Sequence, residues 1–357
     1  MSLTRCGKIA AASVTALLVG GGALGYFTLF PDQAPAFVRH TLSSVGIAEE
    51  PPPPPVCPLS GVLAPDGKVP HRPALAVKVE NAPESRPQAG LNDADIVVEE
   101  PVEGGYTRFI AVYQCGDSDR LGPVRSGRTT DPDYLRQLGP VVVGYAGAVG
   151  VVRREVASAG LVDVNYEIAV GAYSRDESRV APHNLYTTTA ALWKAGKSEA
   201  SGSKDGPPAP LFAYSETYEG RSKKVAGLHL PFSGASDVYW TWSRSDGAWL
   251  RSHGDEPHVL EGDERVSATT VVVQVVPVTA SGIVDVAGNA SPSVTLTGSG
   301  RVYVLRDGRL IVGRWERPTL DDVTRFVAKD GTEITLATGR TWVELLPGSV
   351  EVEPLTG

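Results

Sequence analysis

The segment 9–30 carries no charged side chain. Such an apolar segment determines on which side of a membrane the rest of the chain folds. This segment is longer than the roughly 7 to 15 residues of a signal-peptide core and matches the roughly 20 residues that cross a bilayer. Arg5 and Lys8 precede it, and basic residues favour the cytoplasmic side of a membrane. We therefore predict a cytoplasmic stub over 1–8 and a single transmembrane helix over 9–30.

The same segment allows a second interpretation, a long signal peptide cleaved near Ala34 and Ala36. Small residues in that spacing are typical of a cleavage site. Both interpretations place the folded part outside the cytoplasm. The two interpretations differ in whether the folded part stays attached to the membrane. We favour the uncleaved helix, which predicts a single-pass protein of the cell membrane.

Composition divides the exported part into linkers and folded units. Five consecutive prolines, at 51–55, favour an extended spacer, so we predict a proline-rich linker over 31–56. A stretch of low hydrophobicity, EASGSKDGPP, begins at residue 199 and predicts a second linker over 199–210. The chain is longer than one core usually fills, so we expect two domains, over 57–198 and 211–350.

The two predicted domains differ in their periodicity. In the first, PALAVKVEN, ADIVVEE, TRFIAVYQ and PVVVGYAG predict strands, whereas DPDYLRQLG, VGVVRREVASAG and TTTAALWKAG predict helices, the first of them capped by Asp131. In the second, apolar and polar residues alternate, and Asp-Gly pairs at 246, 307 and 330 predict hairpin turns. The fold class is therefore α+β, a mixed α/β domain followed by a β-rich barrel or sandwich.

Composition and motifs exclude several classes of function. With 33 Lys and Arg against 41 Asp and Glu, the formal net charge of −8 argues against a nucleic-acid partner. The sequence contains no GxSxG, HExxH, CxxC or P-loop motif, and we predict no cofactor. HGDEPH, with His253 and His258, could bind a metal, but its Gly and Pro favour a polar hairpin loop, so we predict no metal site.

Aromatic and cysteine residues give two further predictions. Tryptophans in strands mostly pack in cores, so we expect packing, and not a glycan-binding platform, from Trp240, Trp242, Trp249, Trp315 and Trp342. Cys6 precedes the apolar segment, whereas Cys57 and Cys115 lie in the exported part, where disulfides persist. We expect these two to pair; two buried free thiols are the alternative.

Several stretches between Cys57 and Pro347 resemble the YerB-like family of bacterial envelope proteins, also known as DUF3048. They are CPLSG, LGPVRSGR, APHNLYT, GSGRVYVLRDGRLIVGRW and GRTWVELLP. The resemblance implies a membrane-tethered extracytoplasmic protein of two domains, and it implies no activity. Many members resemble lipoproteins, but no lipobox precedes Cys6 here, and Tyr145 stands where relatives typically carry a histidine.

Two arginines lie in a loop with glycines at 122 and 127, LGPVRSGRTTD. Without Cβ atoms, these glycines would let backbone N–H groups approach a ligand and form an anion-binding nest. Guanidinium and amide groups supply the donors that carboxylates, phosphates or glycan hydroxyls require. We predict a pocket for an anionic or glycan ligand of the cell wall, lined by Arg86, Arg108, Arg125, Ser126, Arg128, His183 and Asn184.

Three other hypotheses compete with ligand binding. In ADIVVEEPVEGGYTRF, strand alternation would place Glu99 on one face and Glu100 on the other, with Glu103 at the turn. These acids could clamp the arginines in an internal ion-pair network that leaves no donor free. Alternatively, Glu99 and Glu103 could act as the paired carboxylates of a wall glycan hydrolase or transferase, with His183 as a base. The remaining hypothesis is a docking module for wall-synthesis proteins.

Overall fold

The structure, a computed structural model, describes residues 53–199, 206–284 and 288–356. The predicted stub, the predicted anchor over 9–30 and most of the linker over 31–56 lie outside these residues. Within the three described ranges, no helix has both the length and the apolar character that crossing a membrane requires.

The first half contains short strands and helices, numbered here in chain order. The strands are β1 Ala74–Glu80, β2 Ile96–Pro101, β3 Thr107–Tyr113, β4 Val141–Gly144, β5 Val162–Asp163, β6 Tyr173–Arg175 and β7 Leu185–Thr187. The α-helices are α1 Thr130–Leu135, α2 Gly150–Ser158 and α3 Thr189–Glu199. The 3-10 turns are Pro65–Gly67, Pro83–Ser85, Leu91–Asp93, Glu103–Gly105, Arg136–Leu138 and Val170–Ala172.

The described residues of the second half form strands only. The first seven are β8 Lys223–Lys224, β9 Gly227–Ser233, β10 Ser236–Ser243, β11 Ala248–His253, β12 Glu256–Pro257, β13 Ser267–Ala268 and β14 Thr270–Val276. The others are β15 Val278–Val284, β16 Ala290–Val294, β17 Gly298–Arg306, β18 Arg309–Arg317, β19 Arg325–Ala328, β20 Thr341–Pro347 and β21 Glu353–Leu355.

The predicted strands and helices of the first half are confirmed as β1–β4 and α1–α3, although α1 begins at Thr130, before the expected cap Asp131. The Asp-Gly pairs at 246 and 307 join β10 to β11 and β17 to β18, and the pair at 330 follows β19. Asp307 and Gly308 have φ of 52° and 68°, the backbone that such tight hairpins require. The helices are short, so the protein is mostly β, more so than the predicted mixed first domain implies.

One eleven-stranded sheet runs through both halves, in the order β19-β18-β17-β14-β20-β2-β3-β1-β4-β5, with β8 beside β18. The junction is β20, which lies between β14 and β2 and pairs parallel to both; Trp342 is opposite Val271 on one side and Val97 on the other. We expected two units with separate cores. Instead, Pro55–Gly357 is one compact unit, because the last long strand returns to the first half.

Strand alternation gives this sheet two buried faces. The first face carries Ile96 and Val98 and packs under α1 and α2; the second carries Val97, Phe109 and Trp342. A second sheet, in the order β12-β11-β10-β9-β21 with β13 beside β11, covers the second face.

Aromatic packing and a disulfide hold these layers together. Trp240, Trp249, Trp315 and Trp342 are fully buried and Trp242 is half-buried, which confirms the prediction of packing. Truncating a core tryptophan costs about 3–5 kcal/mol. The predicted pairing of Cys57 with Cys115 is also confirmed, and it ties the start of the compact unit to the chain just after β3.

Candidate functional site

Four charged residues lie on the first face of the central strands, among apolar neighbours. Lys78 and Glu80 alternate with valines in β1, Glu100 lies in β2 and Arg108 in β3. Lys78, Glu80 and Glu100 are buried. Because a strand directs every second side chain to the same face, these residues meet on one side of the sheet, at the end where β1 and β2 stop.

The loop 121–131 is clamped against β1 at this end of the sheet. The Arg125 N–H donates to the Lys78 carbonyl at 2.9 Å, and the Glu80 N–H donates to the Pro123 carbonyl at 3.0 Å. A Cβ at Gly122 would lie 2.8 Å from the Leu185 carbonyl oxygen, so only glycine fits there. The chain is therefore held rigidly on both sides of the two arginines.

The predicted anion-binding nest is wrong, because the protein itself uses the relevant backbone amides. The Gly122 N–H donates to the Ala89 carbonyl and the Gly127 N–H to the Gly147 carbonyl. The Arg128 N–H donates to Asp131 Oδ2 at 2.7 Å. The amides of these two glycines are therefore not available to a ligand.

A cavity of about 660 Å³ opens beside this loop. Its charged and hydroxyl-bearing walls include Glu80, Glu84, Glu103, Arg108, Arg125, Ser126, Arg128, Thr129, His183 and Ser291. Six predicted site residues are among them: Glu103, Arg108, Arg125, Ser126, Arg128 and His183. The first half supplies most of the walls, and β15 and β16 supply the rest.

Glu80 holds two of these residues by one carboxylate. The Arg125 Nε donates to Glu80 Oε1 at 2.8 Å, and His183 Nδ1 lies 2.8 Å from Glu80 Oε2. The Arg125 side chain is 27% exposed. Within the described part of the chain, its two terminal nitrogens have no hydrogen-bond partner, so they can bind an oxyanion.

More of the Arg128 guanidinium than of the Arg125 guanidinium is hydrogen-bonded within the protein. It pairs with Glu103 through Nε and through a second, terminal nitrogen, and its other terminal nitrogen donates to the Gly127 carbonyl at 2.9 Å. Burial raises the pKa of Glu103, but hydrogen bonds from Arg128 and Ser291 outweigh it and hold that pKa below its ordinary value. The predicted internal ion pair therefore describes Arg128.

Arg108 has a charge that no carboxylate compensates directly among the described residues. Among the described residues, its guanidinium donates one hydrogen bond, from a terminal nitrogen to the Ser126 carbonyl at 3.2 Å. Burial, together with the charges of Arg128 and Arg125, lowers the pKa of Arg108 to about 10. Three guanidiniums and three carboxylates therefore line this cavity, and of these only Arg108 and Glu84 form no salt bridge among the described residues.

A second cavity, of about 610 Å³, adjoins the first and shares Glu84 and His183 with it. Arg86 lines this second cavity, not the first. Arg86 donates to the Asn81 carbonyl at 2.9 Å, while its Nε is buried without a partner in the described residues. Burial, then repulsion from Arg251, lowers the pKa of Arg86 to about 10.

Two predicted site residues lie elsewhere. Glu99 is fully buried on the second face of the sheet, so the predicted pairing with Glu103 in one catalytic site is wrong. Asn184 lines neither cavity; its Oδ1 accepts a hydrogen bond from Arg175 at 2.7 Å, and its amide donates to backbone carbonyls. It fixes the loop that carries His183.

Glu99 belongs to a closed cluster between the two sheets. Arg251 of β11 binds both oxygens of Glu99, at 2.7 and 2.9 Å, and donates to His258 at 3.0 Å. Glu344 of β20 accepts from Trp240 Nε1 at 2.7 Å. Burial and then the charge of Glu99 raise the pKa of Glu344 well above its ordinary value, whereas burial and Arg251 lower that of His258.

This cluster corrects the prediction of a polar hairpin loop at HGDEPH. The turn exists, between β11 and β12, but His258 is only 1% exposed and accepts the Arg251 hydrogen bond. Among the described residues, no group of His, Cys, Asp and Glu is arranged to hold a metal ion. The two histidines of this motif are components of the inter-sheet ion cluster.

Tyr145, which the family resemblance singled out, follows β4 directly and is buried. Its hydroxyl donates to Asp163 Oδ2 at 2.8 Å, and burial and Asp163 raise its pKa. It lines neither cavity, so here it supports the loop that contains Gly127 without contacting the cavity.

The sequence analysis missed Lys78, Glu80, Arg251 and Glu344. A signal for the first two exists: ALAVKVE is apolar except for two charges of equal parity, and a fully buried strand rarely carries unpaired charges. Arg251 and Glu344 have no comparable signal in the sequence, since the residues they contact are distant along the chain.

Comparisons with known proteins agree with this architecture. Two family models match, the DUF3048 protein of unknown function N-terminal domain over 59–202 and its C-terminal domain over 228–343. A protein of Bacillus subtilis (strain 168) named "Putative lipoprotein YerB" is 26% identical over 293 residues, covering 81% of this chain and 86% of its own length.

A solved structure has the same fold. The crystal structure of YerB protein from Bacillus subtilis matches with a TM-score of 0.72 at 22% identity, over 84% of this chain and 99% of that one. The two family domains occur here in order and share one central sheet. The chain therefore belongs to the DUF3048, or YerB-like, family of proteins of unknown function.

Proposed function

We propose that this protein is tethered to the membrane outside the cytoplasm and binds an anionic or glycan ligand of the cell wall in the cavity beside Arg125. The observation that carries the proposal is that two arginines of this cavity have guanidinium nitrogens without a partner among the described residues. Arg125 keeps two unpartnered terminal nitrogens within the described residues, and Arg108 has no carboxylate partner there, although both line an open cavity. An internal ion-pair network that leaves no donor free would have occupied these nitrogens.

Attachment to the membrane follows from two observations. The segment 9–30 has the length and composition of a spanning helix. A relative that aligns over most of its length is named a lipoprotein, which is an alternative means of attachment. The proline-rich linker would then hold the cavity away from the bilayer, near the wall.

A sedimentation assay tests the proposal. Full-length protein in detergent micelles is mixed with insoluble, purified bacterial wall polymer at 50 and 300 mM NaCl. A charge-assisted hydrogen bond contributes about 1.5–3 kcal/mol, so Arg125→Ala should lower retention roughly tenfold or more. Retention should also fall at the higher salt concentration, because salt screens these charges.

Arg314→Ala is the matched control. Arg314 is an exposed arginine of β18 that pairs with Glu316 and lines neither cavity, so its loss should leave retention unchanged. Equal retention of the wild type and Arg125→Ala at low salt would contradict the proposal. A large fall in melting temperature for Arg125→Ala would instead assign that arginine to the internal network.

One observation favours a second candidate function, acid–base catalysis on the bound ligand. Glu80 Oε2 holds His183 Nδ1, and a carboxylate that fixes one ring nitrogen leaves the other to act as a base. This candidate replaces the predicted pair of Glu99 and Glu103 by a histidine and the carboxylate that orients it.

Release of soluble fragments from the same wall polymer tests catalysis. Catalysis predicts release by the wild type and its loss in His183→Gln, with retention preserved. Absence of fragments between pH 5 and 9 would remove this candidate and leave the binding proposal intact.

A further inference from the structure

We propose that the ligand is a linear polymer with an anionic group on successive repeats, and that one such chain occupies both cavities at once. This inference rests on the proposed function and specifies the ligand that the site takes. The first observation is that the two cavities, of about 660 and 610 Å³, are contiguous. Glu84 and His183 line both, so a chain that occupies the two cavities would run past these two side chains.

The second observation is that each cavity has an arginine that forms no salt bridge among the described residues. Arg108 lines the first and Arg86 lines the second, and neither forms a salt bridge with a described carboxylate. The other arginine of the second cavity, Arg179, is already held by Glu261 and by the Pro87 carbonyl. One free cation in each cavity matches a ligand with spaced negative charges.

Separate local connections hold the arginines of the two cavities. Arg86 is anchored on the Asn81 carbonyl and Arg125 on the side chain of the preceding residue, Glu80. The two guanidiniums are therefore held by different groups and line different cavities. A small anion in one cavity meets the guanidinium of that cavity, whereas a chain with several charged repeats can meet both.

Glu84 opposes the ligand at the passage between the cavities. It is an exposed carboxylate that lines both of them, and no described cation pairs with it. A polyanion that crosses the passage must approach this charge, whereas a small anion held in one cavity need not. Replacing Glu84 should therefore affect long ligands more than short ones.

The experiment measures how affinity depends on chain length, with full-length protein in detergent micelles. The probes are galacturonate oligomers of one to ten units, which carry carboxylates, and linear polyphosphates of three to about sixty units. Wild-type affinity should rise at least tenfold from the shortest to the longest members, because the second contact forms at a high effective concentration. The two series show whether the repeat is a carboxylate or a phosphate.

Three variants identify which cavity is responsible. Arg86→Met, which keeps the apolar stem, should abolish the gain with length and leave the shortest probe unaffected. Arg125→Ala should weaken every probe. Glu84→Gln should strengthen the long probes severalfold, and this gain cannot result from misfolding.

The outcomes separate the inference from the proposed function. If neither series binds at any length, the proposed anionic ligand fails together with the inference. If short and long probes bind equally, or if Arg86→Met keeps the gain with length, the polymer is wrong while a small anionic ligand stands.

Discussion

Two groups of charged residues lie on opposite faces of the same strands, and they differ in what surrounds them. On the second face, Arg251 and Glu99 are both 0% exposed, and every nitrogen of the Arg251 guanidinium has a partner. On the first face, Arg125 is 27% exposed and uses only Nε within the described residues. The second sheet covers the group around Arg251, whereas the group around Arg125 lines an open cavity.

The comparison teaches that charge alone does not distinguish a binding arginine from a structural one. Glu99 and Glu100 are adjacent in β2, yet alternation places one against Arg251 and the other against Lys78. What differs is whether another layer covers the guanidinium. The ion-pair hypothesis holds for the covered face and for Arg128. It holds in part for Arg125, which pairs with Glu80 through Nε alone, and it fails for Arg108, which has no salt bridge among the described residues.

The largest effect is expected at the closed cluster. Arg251→Ala removes the partner of a fully buried carboxylate, and breaking such a pair costs about 3–5 kcal/mol because it leaves an uncompensated buried charge. Urea unfolding of the purified protein measures this loss. A double variant, Arg251→Met with Glu99→Leu, should recover most of it, since both charges are then absent. A loss below about 1 kcal/mol for the single variant would mean that water reaches the cluster.

A smaller effect, with a defined pH dependence, is expected for Glu100. Burial raises its pKa from 4.5 to about 7, against the attraction of Lys78. Between these two values the folded state binds more protons than the unfolded state, so this group lowers the free energy of unfolding as pH rises from about 4.5 to about 7. Glu100→Gln should remove that decline. Parallel pH profiles for the wild type and the variant would contradict the assignment.

Glu103, three residues further along, should show the opposite sign. Its folded pKa lies below its ordinary value because the hydrogen bonds from Arg128 and Ser291 outweigh burial. Its contribution is therefore present above about pH 4.5 and is lost as pH falls through the folded pKa. Glu103→Gln should cost about 1–2 kcal/mol at pH 7 and less in acid, measured by urea unfolding at both pH values. An equal loss at both would show that the carboxylate charge is not involved.

The local patterns predicted the strands and hairpin turns, and could not predict which strands pair. β1 to β4 follow from β-branched runs between turn residues, which is information within ten residues. The insertion of β20 between β14 and β2 depends on parallel pairing across more than two hundred residues. Two domains were expected because the chain is longer than one core usually fills and because composition breaks at 199–210, and neither observation reports where a later strand returns.

The site was predictable to the extent that its residues lie near one another in sequence. Arg125, Ser126 and Arg128 share a loop, and that loop does line the cavity. Glu99 was assigned wrongly because its partner, Arg251, is 152 residues away and no local pattern reveals it. Asn184 was assigned wrongly because its amide satisfies the backbone around it. When tertiary hydrogen bonds set the orientation of a side chain, that orientation can be known only from the structure.

The smallest effect on stability is expected at Arg108, and it is the sharpest test of the comparison. Burial and two neighbouring guanidiniums lower its pKa, so its charge is unfavourable in the unliganded protein. Arg108→Met keeps the apolar stem and removes that charge, so the melting temperature should stay the same or rise slightly. Anion binding should nevertheless weaken, because the cavity loses its uncompensated cation. A clear fall in melting temperature would mean that contacts within the protein stabilise Arg108 as they stabilise Arg251. The arginines on the two faces of the sheet would then both be structural.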